Sequence, residues 1–150
     1  MNVYCRMDIL RAIPHRPPFL FVDTVVAMEE KRIVAEKSLS PDLDFFRGHY
    51  PHFPIMPGVL TLESIFQAGA ILLSAKVGES GAKGVPALTR IRDAKFKQMV
   101  RPGDMLTLTV ELEEQVGPAF YMKGAASVNG VKAAVVRFTC ALVELEGKAK

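Results

Sequence analysis

The chain has 150 residues, 49% of them hydrophobic and 23% charged, which suits one folded unit with a substantial core. Its net charge of +3 comes without a dense Lys/Arg block or interleaved aromatics, so nucleic-acid binding is not expected. The two cysteines, Cys5 and Cys140, match no metal or redox spacing and are expected to be structural thiols.

Met1 to Asp8 lack the basic start, apolar run and cleavage site of a secretory signal, and the cytoplasm is the expected compartment. A short helix is predicted over Met7 to Ala12, ending before Pro14 because the residue preceding proline is pushed out of helical geometry. His15-Arg16-Pro17-Pro18 is too rich in proline for regular structure. Phe19 to Ala27 and Arg32 to Leu39 read as strands, joined by a polar hairpin turn at Glu29-Glu30-Lys31.

From Ser40 to Pro57 the pattern has no period, and four prolines forbid a long helix or central strand. An irregular segment of this length is uncommon in a compact domain unless it serves a function. Gly58 to Lys76 then reads as one helix, apolar around most of its circumference, so it belongs inside protein. A bilayer span needs ~20 mostly apolar residues, and Glu63 and Gln67 interrupt this run, so no membrane segment is expected. Glu63 and Gln67, four apart, share one face.

Gly78 to Gly84 suggests a flexible turn, and Leu88 to Val100 a strand ending at the turn Pro102-Gly103-Asp104. Leu106, Leu108, Val110 and Leu112 alternate with polar residues, the mark of a half-buried strand. Gly117-Pro118 breaks the pattern, Ala119 to Val128 resumes it, and Asn129-Gly130 signals a hairpin into Val131 to Glu144. A sheet wrapped around one central helix satisfies this order, an α+β arrangement filling one domain over residues 1–150.

Chemistry is expected where the proline-rich loop meets the start of the helix. Free N–H groups and the positive dipole end there suit a developing oxyanion. Glu63 lies about one and a half turns into the helix among apolar neighbours, where burial favours a protonated acid. The bland alternative is a buried salt bridge to Arg or Lys. Histidine is the natural base near neutrality. His15, beside two prolines, suits a structural hydrogen bond. His49 has a slight edge over His52 from the adjacent glycine, and chemistry alone leaves both open. Arg90, Arg92, Lys95, Lys97 and Arg101 form a loose basic cluster, either a solvated strand face or a landing patch for an acidic partner.

The run Gly48-His49-Tyr50-Pro51-His52-Phe53-Pro54-Ile55-Met56-Pro57-Gly58-Val59-Leu60-Thr61-Leu62-Glu63-Ser64-Ile65-Phe66-Gln67 resembles the signature of bacterial 3-hydroxyacyl-[acyl-carrier-protein] dehydratases, with Tyr50 where the family has Phe. His15 to Asp23 and Ala94 to Asp104 resemble the family's flanking motifs, so the likeness spans nearly the whole chain. The resemblance implies a hot-dog fold, a curved antiparallel sheet around a central helix. It selects His49 as base and Glu63 as acid, and the glutamate resembles the plain dehydratases rather than the aspartate-bearing dehydratase–isomerases. It implies conversion of (3R)-3-hydroxyacyl to trans-2-enoyl groups on acyl carrier protein in fatty acid biosynthesis. Pro57, Gly58, Val59 and Gln67 would bind substrate, the Gly58 N–H polarising the thioester carbonyl and Gln67 orienting Glu63.

No metal, nucleotide or flavin is implied. Homodimers are, each site drawing histidine and glutamate from different subunits, often as three dimers in a hexamer. The acyl slot would lie at the dimer interface, with Phe120 or Tyr121 candidates for its far end. Other hot-dog thioester enzymes acting on coenzyme A substrates (hydratase, isomerase or thioesterase) and a non-catalytic acyl-binding module stand as alternatives.

Overall fold

Around a long helix the chain wraps an antiparallel six-stranded sheet, seen here in a computed structural model that describes residues 3–81 and 83–144. The elements are α1 (Arg6–Ala12), β1 (Thr24–Glu29), β2 (Arg32–Ser38), α2 (Asp44–Gly48), α3 (Gly58–Ser80), β3 (Val85–Phe96), β4 (Met105–Val116), β5 (Ala119–Val128) and β6 (Val131–Val143). Strand order is β1-β2-β4-β5-β6-β3, so β1 and β3 are the edges. Every neighbouring pair is antiparallel. Met1, Asn2 and Ala82, which fall in the expected amino-terminal segment and turn, lie outside the described residues.

The core forms between the sheet and α3. Ile65, Ile71, Leu72 and Leu73 of the helix are buried with Leu106 and Leu108 of β4, Met122 of β5 and Phe138 of β6. The alternation along β4 resolves as expected: Leu106, Leu108, Val110 and Leu112 all point inward. By length and composition α3 could cross a membrane, but the sheet covers it as a core helix. Close approach of α3 to β5 depends on Gly124, where an added Cβ would overlap the Ile65 methyl group, Cγ2. Gly124→Ala should therefore lower stability by about 1–3 kcal/mol, as overpacking does, measured by denaturant unfolding.

Several boundaries differ from the sequence reading. Residues 19–23 are not strand, because the backbone of Phe19 and Phe21 bonds to the Gln67 side chain instead of a neighbouring strand. The irregular segment contains the single turn α2, with Phe46 buried beneath it and Arg47 paired to Asp44 at its exposed side. Gly78 stays within α3, which stops at Gly81, whose φ of 74° ends the helix in a left-handed cap. β3 ends at Phe96, after which the Lys97 and Gln98 N–H groups both turn to the Ala133 carbonyl. The β5–β6 hairpin forms at Asn129 and Gly130, with φ of 51° and 81°.

Both cysteines have structural settings. The Cys5 N–H and thiol donate to Asp8 at the start of α1, and these bonds hold the Asp8 carboxyl below its usual range. Cys140 lies in the core, where burial pushes its thiol up to about 12.

Candidate active site

Three segments converge on the first half of α3. The loop after α1 is tied back by Arg16, whose guanidinium donates to the carbonyls of Leu10, Ile13 and His15 at 2.8, 2.9 and 2.6 Å. Those bonds cap the last turn of α1 and fix where His15 sits. Gln67, 1% exposed, then stitches this loop to the helix. Its Oε1 accepts the Phe21 N–H at 2.8 Å, which identifies Nε2 as the donor end. Nε2 donates to the Phe19 carbonyl and to Glu63 Oε2, both at 3.0 Å.

Glu63 is not sealed in as its apolar neighbours suggested, its side chain being 23% exposed. The expected bland alternative, a salt bridge to Arg or Lys, is absent among the described residues. The contact found instead is His15, its Nε2 3.6 Å from Glu63 Oε2. His15 thus belongs to the site, which sequence reasoning missed. The two residues are 48 apart in the chain, and no local spacing brings them together.

His49 follows α2 and is half-buried, while His52 is exposed. The His49 Nδ1 lies 3.0 Å from the Ile55 carbonyl. A carbonyl can only accept, so the ring proton sits on Nδ1 and the lone pair on Nε2. Tyr50 packs on the imidazole at 4.6 Å between ring centres, and holds a φ of 52°, in the left-handed region rarely adopted by a non-glycine residue. The loop is anchored by Met56, whose N–H donates to the Val100 carbonyl at 2.8 Å. Asp104 in turn receives the Arg101 N–H at 2.8 Å and closes the turn after Val100.

Pro57 precedes the first turn of α3, where Gly58 and Val59 stand. A groove of about 650 Å³ opens there, lined by Ile55, Met56, Gly58, Val59, Phe96 and Met99 among others. Val59 is 71% exposed and Phe96 and Met99 more than half exposed, so the groove has apolar walls open to the outside. His49 adjoins it through Ile55, but neither His49 nor Glu63 lines it. Among the described residues no ion pair joins His49 to Glu63 within the chain. Phe120 is buried elsewhere, beside Lys76 and Val77 near the end of α3, away from this groove.

The five residues of the loose basic cluster, Arg90, Arg92, Lys95, Lys97 and Arg101, are all exposed, the first three on β3 and the other two after it. Lys95 opens onto a second cavity of about 600 Å³ on the outer face of the sheet, where Arg32, Lys123, Lys132 and Arg137 outnumber Asp93 and Glu111 in the wall and Arg137 is paired to Glu113. Of the foreseen cluster only Lys95 borders this cavity, because its other basic members come from strands adjacent in the sheet and distant in the chain.

The model of the FabA-like domain matches residues 13–137. The chain belongs to the FabA-like domain family. It is 43% identical over 137 residues to the 3-hydroxyacyl-[acyl-carrier-protein] dehydratase FabZ of Clostridium acetobutylicum, covering 91% of this chain and 96% of that one. The FabZ of Clostridium tetani is 45% identical over 130 residues, covering 86% and 90%. This FabA-like domain thus falls within the 3-hydroxyacyl-[acyl-carrier-protein] dehydratase family, and its α+β architecture is the hot-dog fold. Among solved structures it is similar to the dehydratase heterocomplex ApeI:P from Xenorhabdus doucetiae, with a TM-score of 0.78 and 17% identity over 91% of each chain. The PaaI protein of Escherichia coli shares the fold at a TM-score of 0.63, with 15% identity over 78% of this chain and 80% of that one.

Proposed function

We propose that this chain, as one hot-dog dehydratase domain, converts (3R)-3-hydroxyacyl-[acyl-carrier-protein] to trans-2-enoyl-[acyl-carrier-protein] in fatty acid biosynthesis. The observation that carries the mechanism is the Ile55 carbonyl on His49 Nδ1, which leaves Nε2 with the lone pair a base requires. His49 Nε2 removes the proton next to the thioester carbonyl. Glu63 protonates the departing hydroxyl, so that water leaves. The N–H of Gly58, in the first turn of α3, polarises the thioester oxygen, since no preceding turn supplies it with a helical acceptor. Gln67 orients the Glu63 carboxyl, and Pro57, Gly58 and Val59 border the acyl chain.

The working unit is a homodimer, with His49 of one subunit facing Glu63 of the other. Two features support this. His49 and Glu63 share no hydrogen bond or ion pair within the chain, and edge strand β3 leaves Leu88, Ile91 and Phe96 41–55% exposed, where a second copy would cover them. Three such dimers make the hexamer. The positive outer face suits encounter with an acidic carrier protein, and the protein works in the cytoplasm.

The test offers 3-hydroxyacyl and enoyl thioesters on acyl carrier protein and follows their interconversion. Interconversion without release of thiol is the expected result. Release of free thiol points to a thioesterase, conversion restricted to coenzyme A substrates to another hot-dog enzyme, and binding without conversion to an acyl-binding module.

A further inference from the structure

His15 faces Glu63 and takes no part in the mechanism above. Its Nδ1 is buried without a hydrogen-bond partner, whereas its Nε2 points at Glu63 Oε2, 3.6 Å away. Nδ1 lacks a partner whichever ring nitrogen carries the proton, so the tautomer is set at Nε2, where a proton faces the Glu63 Oε2 acceptor and a lone pair would meet it acceptor to acceptor. At 3.6 Å the pair is in electrostatic contact, and closing the gap by roughly half an ångström makes a hydrogen bond. Catalytic contacts commonly tighten in this way once substrate is bound.

We infer that His15 is a positioning residue that, with Gln67, decides which oxygen of Glu63 delivers the proton. Gln67 Nε2 already donates to Oε2 at 3.0 Å, and it can only donate, because its Oε1 is taken by the Phe21 N–H. With the His15 N–H aimed at the same atom, Oε2 is committed to accepting. The acidic proton therefore sits on Oε1, which makes none of these contacts. Arg16 serves this arrangement by pinning the His15 carbonyl at 2.6 Å, which holds the ring in place from its own backbone.

The role rests on Glu63 being the acid, and the experiment separates the two claims. Turnover of a 3-hydroxyacyl carrier-protein thioester is measured for Glu63→Gln, His15→Ala, His15→Gln and His15→Asn. His15→Ala should lose about 10–100-fold in kcat with KM within about twofold, the pattern of a group acting on the chemical step. Glutamine places its amide N–H where Nε2 stood and should recover most of that loss. Asparagine reaches only as far as Nδ1 and should not.

Wild-type kcat in His15→Ala while Glu63→Gln is inactive would overturn the role of His15 and leave Glu63 untouched. Equal impairment of the Gln and Asn variants would reduce His15 to packing. Full activity in Glu63→Gln would instead overturn the acid itself. If circular dichroism shows His15→Ala unfolded, the comparison of the Gln and Asn variants decides the question.

Discussion

Mixing His49→Ala subunits with Glu63→Gln subunits should restore activity that neither variant has alone. Each variant by itself should lose about 10²–10⁴-fold in kcat, the usual worth of a positioned acid or base. The restoration follows from the geometry. His49 is held on the loop after α2 by the Ile55 carbonyl, Glu63 is held on α3 by Gln67, and no ion pair joins them within one chain. If each site takes its histidine from one subunit and its glutamate from the other, a mixed dimer contains one site with both residues intact and one with neither. Random exchange makes half the dimers mixed, so about a quarter of wild-type activity should return. The measurement is turnover after joint unfolding and refolding, with each variant refolded alone as reference. Sites built within single subunits would give no recovery, since every subunit in the mixture carries a lesion.

The same placement shows what could be read from the chain alone. Elements with strong internal period were legible. The apolar run of α3 and the alternation of β4 have burial that follows directly from residue spacing, and Asn129-Gly130 has the chemistry of its turn. Elements whose form depends on a distant partner were not. Phe19 to Phe21 look like strand by composition, yet their backbone groups are satisfied by a side chain nearly fifty residues later. His15 looked structural because its neighbours are Arg16 and two prolines, and only the fold puts Glu63 across from it. The clue available was Gln67, a polar residue on the same face as Glu63 in an otherwise apolar helix. A fully buried amide must have partners, and these lie at the start of the segment read as a strand over Phe19 to Ala27. The choice of His49 over His52 likewise needed more than spacing: it came from the family resemblance, and the Ile55 carbonyl on His49 Nδ1 supports it.

Gln67 is also where stability and chemistry are most tightly joined, and Gln67→Leu should damage both. Leucine adds roughly one methylene of volume and a branch, so unpaired polar groups dominate the loss with some overpacking added. Three bonds disappear, to the Phe21 N–H, the Phe19 carbonyl and Glu63 Oε2. Phe21 is 4% exposed, and its N–H would have no other partner. At about 1–3 kcal/mol for each buried polar group left unpaired, a fall of roughly 2–4 kcal/mol is expected. In a chain of this size that lowers Tm by about 5–15 °C.

Gln67→Glu separates the contributions. Its carboxylate can still accept the Phe21 N–H but cannot donate to Phe19 or Glu63, and it sets a second carboxyl group beside the first. Two crowded carboxylates hold a proton to higher pH in the folded chain than in the unfolded one. The pair's cost to the variant should therefore be smallest below the ordinary glutamate range and grow as pH rises from that range through the raised folded value. Unfolding midpoints for Gln67→Leu and Gln67→Glu across that range test this directly. The leucine variant's deficit should stay nearly constant, whereas the glutamate variant's should grow with pH. Parallel curves for the two would mean that Glu63 does not feel residue 67, and that Gln67 serves only to hold the loop at Phe19 and Phe21.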